Sequence, residues 1–260
     1  MIAPRARSCF RHVLALAVLL PVLAKAEGPP TPEWLVQASI AYHDPSRVWS
    51  HGQIHLVTEV VYSEMLIESR GLEHPSRIGE MWLAPAWETF RYRSTTGEHT
   101  IEYGIDDDRP WTTLDGRADF TDAEREAHGI REPYGVRDYY EYVFGLPMKL
   151  RDRGVNLDPE VERMDFHGRD VWKVRVTYDA DVGSDVWDFF FDHETYALVA
   201  SRFYHDETAN DGEFILYAGE VVDEMTGLRL PATHDWYYND GRGQLAIDHV
   251  RSMAVTREKP

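Results

Sequence analysis

Apolar residues recur at two different spacings along the chain, and the change of spacing marks the predicted elements. After Thr31 they follow the 3.6-residue period of a helix, with Thr31 as N-cap and Pro32 in the first turn, and this helix ends near Asp44. From Gln53 to Tyr62 apolar and polar residues alternate, which predicts a strand. Similar short runs predict further strands at residues 78–83, 87–94, 99–105, 111–114, 161–166, 171–178, 186–192, 197–206, 213–222, 229–238 and 244–255.

Two helices are predicted to interrupt this series of strands. Thr121 followed three residues later by Glu124 fits a capping box, and Gly129 ends the short helix that it opens. Residues 136–144 carry an apolar and aromatic stripe at helical spacing, and Gly145 ends it. Such a stripe must lie on another apolar surface.

The turns between the strands determine the fold class. Pairs such as His167-Gly168 are typical of tight reversals, which join antiparallel neighbours, whereas a parallel crossover needs about a dozen residues or more. The pattern therefore predicts a mainly β fold: a single curved antiparallel sheet, or incomplete β-barrel, with the helices covering its concave face.

The first 26 residues have the three-part layout of a secretory signal peptide. Basic residues and no acids accompany an apolar run at 13–23, which ends at Ala24-Lys25-Ala26. The run is about half of the roughly 20 residues that span a bilayer, so a retained anchor is the weaker interpretation. We predict cleavage after Ala26, a single soluble domain at 27–260 with no membrane span, and a periplasmic location.

Charge and cysteine content exclude several classes of protein. The chain has 27 basic and 45 acidic residues, a net charge of −18, which becomes −22 when the four bases of the signal peptide are removed. This excess of acids disfavours nucleic-acid binding. The one cysteine, Cys9, precedes the predicted cleavage point, so the mature chain has neither a disulfide nor a cysteine zinc ligand. No nucleophile, metalloprotease or phosphate-loop motif is present, and no catalytic residue, metal or cofactor is predicted.

Aromatic density gives the candidate binding residues. Two interpretations are open: an ordinary packed core, or walls around an apolar cavity for an acyl chain. The residues predicted to line such a cavity lie on one helix face and one strand face, at Tyr139, Tyr140, Phe144, Trp187, Phe189 and Phe191. Five further aromatics are expected to add bulk to the same interior, namely Trp82, Phe90, Tyr92, Trp236 and Tyr237.

Histidines give a competing hypothesis. The tripeptide Tyr-His-Asp occurs at 42–44 and again at 204–206, where Glu207 follows. If folding joined them, His43, His205, Asp206 and Glu207 could hold zinc or form an acid–base pair. The alternative interpretation is local: each Asp caps or turns the chain, and each His makes a nearby hydrogen bond.

Several stretches resemble one uncharacterised bacterial family. Those that carry the resemblance are AYHDP at 41–45, YYEYVFGLPMKL at 139–150, VTYD at 176–179, VGSD at 182–185, FYHDE at 203–207, NDGE at 210–213 and DWYYN at 235–239. Together they resemble domain-of-unknown-function family 6503 from about residue 31 to 250. That resemblance implies a lipoprotein-carrier fold of the LolA/LolB type, an open antiparallel barrel plugged by helices. It implies no catalytic residue.

The leading hypothesis from the sequence is an exported binding protein or carrier for a lipid or another hydrophobic ligand. The first alternative is a metal-assisted hydrolase or lyase built on the histidine cluster. The second is an envelope scaffold whose acidic surface docks a basic protein partner. The absence of catalytic motifs favours binding over an enzymatic role.

Overall fold

The structure is a computed structural model that describes residues 29–257. The predicted signal peptide and Cys9 lie outside the described residues. Within this part of the chain no helix is both long and apolar enough to cross a membrane.

Local sequence signals account for the helices. Thr31 caps the first helix by accepting a hydrogen bond from the Trp34 amide, and the predicted capping box at Thr121 and Glu124 is present in full. The α-helices in the described residues are α1 (Pro32–His43), α2 (Glu64–Arg70), α3 (Asp122–Ala127) and α4 (Pro133–Gly145).

The strands follow the predicted alternation closely, and five of the twelve strands extend beyond their predicted range by two residues or more at one end. In residues 29–257 they are β1 (Gln53–Tyr62), β2 (Ser76–Ala84), β3 (Thr89–Thr96), β4 (His99–Asp106), β5 (Arg109–Leu114), β6 (Val155–Phe166), β7 (Arg169–Tyr178), β8 (Val186–Asp192), β9 (Leu198–Tyr204), β10 (Glu213–Val222), β11 (Arg229–Tyr238) and β12 (Gln244–Thr256).

These strands form one antiparallel sheet in the order β5-β4-β3-β2-β1-β12-β11-β10-β9-β8-β7-β6. The chain runs as a meander from β1 out to one edge, crosses through α3 and α4 to the other edge, and returns as a second meander. The two meanders join where β1 pairs with β12. The edge strands β5 and β6 do not pair with each other, so the sheet is open. The predicted curved antiparallel sheet is confirmed, and the sheet is not a closed barrel.

The concave face holds two apolar cores under two helices. One core packs α4 against the first meander through residues such as Tyr140, Phe144 and Met81. The other packs α1 against the second meander through Leu35 and Phe189. The helices α1 and α4 therefore cover the two sides of the concave face, and side chains of α4 reach over its middle, where Phe144 contacts His234.

The helix α2 was not predicted from the sequence. Ser63 caps it by accepting a hydrogen bond from the Leu66 amide, and Gly71 ends it in the left-handed conformation at φ 61°. It lies in the connection between β1 and β2, and Leu66 packs on the middle of the sheet. Its seven residues are too few to show a clear helical period.

Candidate functional site

The middle of the concave face carries a row of polar residues. Pairing of β1 with its two neighbours places Arg77 and Asp248 on either side of Val60, and His234 follows on β11. The Cα atoms of Arg77 and Asp248 lie two strands apart, about 10 Å. Tyr139 and Tyr140 of α4 lie above this row. We call this region the tyrosine–arginine cleft.

Two adjoining hollows of about 270 and 200 Å³ form the cleft, and they share Tyr62, Arg77 and Tyr140. The larger one has an apolar floor, the cluster of Val60, Leu66, Leu245 and Ala246. Its charged residues are Arg70, Arg77, Glu213 and Asp248. The larger volume is close to the lower end of the range of about 300–1,000 Å³ for ligand pockets. The cleft is thus wide enough for one slender molecule.

Arg77 is the least satisfied charged residue in the cleft. One terminal nitrogen donates to the Tyr140 hydroxyl at 3.3 Å, and that hydroxyl donates to the Tyr92 hydroxyl at 2.7 Å. The Arg77 Nε is buried and has no hydrogen-bond partner. Among residues 29–257 no carboxylate lies within ion-pair distance of its guanidinium. Because guanidinium stays charged at any physiological pH, the cleft contains a cation without a direct ion-pair partner.

The surrounding tyrosines are neutral hydrogen-bonding groups. Burial raises the pKa of Tyr62 and raises that of Tyr140 well above its ordinary value. Tyr139 is 40% exposed and remains open to a ligand. The phenols of Tyr62 and Tyr139 can donate to a ligand, whereas the Tyr140 proton is already donated to Tyr92, and none of the three neutralises Arg77.

Asp248 is an acid with a weakened tendency to ionise. Burial raises its pKa to about 6, while the Trp236 Nε1, which donates to Oδ2 at 3.1 Å, and the charge of Arg77 act in the opposite direction. Asp248 is therefore mostly ionised at pH 7 and becomes protonated as the pH falls through about 6. Below that pH the cleft carries more positive charge than its count of charged residues indicates.

Replacing Asp248 with asparagine is expected to stabilise the protein above pH 6. In the native state the carboxyl binds its proton up to about pH 6, but in the unfolded chain only up to 3.8, so the native protein loses stability as pH rises through this window. Asparagine removes that loss and can still accept from Trp236. The full shift corresponds to about 3 kcal/mol, and we expect about 1–2 kcal/mol because the side chain is partly exposed.

Urea unfolding at pH 4, 6 and 8 measures this effect. The gain should shrink towards pH 4, and Asp181→Asn, which changes an exposed turn carboxylate, should show no such trend. A variant that is less stable than the wild type at pH 8 would contradict the assignment.

The structure separates the six residues predicted to line a cavity. Tyr139 and Tyr140 line the cleft. Phe144, Phe189 and Phe191 are buried in the two closed cores. Trp187 lies at a different hollow beside Tyr142, whose hydroxyl bonds to that of Tyr178. Below α1 the buried side chains of Leu35, Phe189 and Phe191 belong to one apolar cluster.

The histidine cluster is not assembled. Both ring nitrogens of His43 bind backbone atoms, with Nε2 accepting from the Leu198 amide at 3.0 Å and Nδ1 lying 3.0 Å from the Arg229 carbonyl. His205 contacts Asp185 on the surface. In the part of the chain that the structure describes, no three His, Cys, Asp or Glu side chains are placed to hold a metal ion. The local interpretation is confirmed for Asp44, which accepts from the amides of Val48 and Trp49. It is wrong for His43, whose two partners are distant in the sequence.

Sequence reasoning did not single out Arg77, Tyr62 or Asp248. The one available signal was a charge at an inward position: Arg77 alternates in phase with the apolar residues Met81 and Leu83 of β2.

Solved structures of other proteins have a similar fold, an open sheet with helices on its concave face. A LolA superfamily protein from Nitrosomonas europaea has a TM-score of 0.50 and 10% identity, with 89% of this chain and 96% of that chain covered. A DUF1329 family protein from Desulfovibrio piger ATCC 29098 has a TM-score of 0.51 and 8% identity, with 88% and 94% covered. At these identities the likeness shows the fold alone.

The chain belongs to the family described as "Family of unknown function (DUF6503)", whose profile matches residues 69–251. This confirms the resemblance drawn from the sequence. No curated protein matches the chain.

Proposed function

We propose that the protein binds an amphipathic ligand, with an apolar chain and an anionic head group, in the tyrosine–arginine cleft. The observation that carries this proposal is Arg77, a charged side chain with a buried and unpartnered Nε beside an accessible apolar hollow. The export pattern of residues 1–26 supports a periplasmic site of action.

The apolar part of the ligand would lie on the floor of the larger hollow. Val60, Leu66, Leu245 and Ala246 are all less than 10% exposed, and Trp236 and Tyr62 pack against them. An acyl chain in this hollow gains about 0.8 kcal/mol for each CH₂ removed from water. The small volume limits the occupant to one chain.

The head group would sit at Arg77, where the guanidinium can form a paired hydrogen bond with a carboxylate or a phosphate. The hydroxyls of Tyr62 and Tyr139 line the same hollow and can add neutral donors. Glu213 lines the same hollow, and burial raises its pKa, which lowers the cost of placing an anion nearby. The cleft thus favours an anionic head over a cationic one.

A variant with a larger side chain on the floor of the cleft should no longer bind the ligand. We expect native mass spectrometry of protein gently purified from the periplasm to show a bound lipid-sized mass, which lipid extraction then identifies. Ala246→Leu, which places a larger side chain on the floor of the cleft, should lose that mass, whereas Ala118→Leu at an exposed position should retain it. Wild-type protein without any bound mass, and without affinity for added dodecanoate, would refute the proposal.

A further inference from the structure

The outer face of the first meander carries a second hollow, on the side of the sheet opposite the tyrosine–arginine cleft. The strand register aligns one transverse row of outward positions across β1 to β5, which are His55, Trp82, Arg91, Gly104 and Trp111. The hollow over this row measures about 540 Å³, larger than either part of the cleft. We call it the tryptophan groove.

Tryptophans form both sides of the groove. Trp82 lies on β2 and Trp87 in the connection to β3, while Trp111 lies three strands from Trp82, about 14 Å away by strand spacing. The His55 ring stacks on Trp82 at 4.6 Å and 9° and holds that indole in one orientation. All three indoles remain partly accessible.

Trp111 is fixed as well. Its indole covers Gly104, where an added Cβ would lie only 2.1 Å from the ring. Its Nε1 donates to Asp106 Oδ2 at 2.8 Å. Gly104 is thus the residue that allows this indole to lie flat on the sheet.

Planar charged groups lie between the indoles. Arg91 lies 3.6 Å from Asp106, and Arg93 donates to both Glu80 and Glu102 at 3.0 and 2.9 Å. The Arg91 side chain is 61% exposed, so its donors remain available to a ligand. Two arginines and three carboxylates thus alternate here, so charges of both signs lie within the groove.

We propose that the tryptophan groove binds an extended, β-linked oligosaccharide. The electron-rich faces of indoles attract the C–H faces of flat sugar rings, and paired guanidinium and carboxylate groups can donate to and accept from ring hydroxyls at once. The distance between Trp82 and Trp111 suits a chain of a few sugars lying across the strands.

The same features disfavour other ligands. An acyl chain requires a predominantly apolar wall, but the wall of this groove includes the charged side chains of Arg91, Arg93, Glu102 and Asp106. A phosphate chain requires excess positive charge, but Glu80, Glu102 and Asp106 offset Arg91 and Arg93. A proline-rich peptide can also use tryptophans, and it is therefore a competing outcome of the test.

Calorimetric titration of the mature protein with cellohexaose and with chitohexaose tests the proposal. We expect at least one of the two to bind, and Trp82→Ala and Trp111→Ala each to weaken it about tenfold or more, equivalent to about 1.4 kcal/mol. Gly104→Ala should weaken it similarly, because the new Cβ displaces the Trp111 indole while every groove side chain is kept. The control Trp34→Ala removes a partly buried indole from α1 and should leave sugar binding unchanged.

Three results would overturn the proposal: neither sugar binding to the wild type, sugar binding that survives all three groove variants, or a polyproline peptide that binds the groove while both sugars fail. Arg91→Ala changes an exposed side chain and is not expected to disturb folding, and it should also weaken sugar binding. It therefore tests the groove even if the tryptophan variants misfold. Because the cleft lies on the other face, dodecanoate binding should be unchanged in the groove variants, so the two proposed sites can fail separately.

Discussion

Replacing Arg77 with methionine is expected to weaken the binding of dodecanoate about a hundredfold. The methionine keeps the apolar stem but removes the guanidinium that faces the proposed head group. A buried charge that loses its partner costs about 2–5 kcal/mol, and a hundredfold change corresponds to about 2.7 kcal/mol. Dodecanol, which has the same chain and no charge, should bind the variant and the wild type equally. Displacement of a dansyl-labelled fatty acid measures both affinities.

Two further variants make this experiment decisive. Arg93→Met removes a guanidinium from the outer face and should leave dodecanoate binding unchanged. Arg77→Lys keeps the charge but loses the planar pair of donors, so an intermediate affinity is expected. If Arg77→Met is folded by circular dichroism and still binds dodecanoate as tightly as the wild type does, the head-group assignment is wrong.

Phe189→Ala is expected to lower the free energy of unfolding by about 3–5 kcal/mol. Phe189 is completely buried in the core under α1, where it lies between Val174 of β7 and Ser201 of β9, and Ile215 of β10 belongs to the same core. Because that core is closed, truncation leaves a cavity that the surrounding strands and helix cannot fill. The result also tests whether this part of the concave face is packed, since truncating a phenylalanine that lines an open hollow would lower the free energy of unfolding much less.

Guanidinium unfolding followed by circular dichroism measures the loss. Phe120→Ala removes a partly buried ring beside Arg125 and should cost about 1 kcal/mol, as expected for incomplete burial. A loss at Phe189 no greater than that at Phe120 would contradict the packed interior.

The elements of this fold were predictable because their signals are local. The alternation of residues 53–62 and the caps at Thr31 and Thr121 each depend on a few neighbouring residues, and the structure has them at the predicted positions. The helix α2 has equally local caps, at Ser63 and Gly71, but it is too short for its period to stand out.

The candidate site was not predictable in the same way, because non-local strand pairing assembles it. Arg77 and Asp248 meet only because β2 and β12 both pair with β1. The density of aromatic residues in the sequence indicated the apolar cores and not the cleft, since Phe189 and Phe191 are buried in the core under α1. Trp82 was predicted to lie in the interior, but it lies on the outer face. Because it stands between the inward-facing residues Met81 and Leu83 on β2, the alternation of the strand already indicated an outward position.

The pairing of β1 with β12 also determines when the sheet can be completed. Each meander can form hairpin by hairpin as it emerges, but β1 lacks its second neighbour until the last strand has been synthesised. The central seam therefore closes late, and the tyrosine–arginine cleft lies across it, with Arg77 on one side and Asp248 on the other. A molecule bound there touches both halves and so favours the closed seam by mass action. Occupancy of the cleft would then act as a clamp on the finished fold.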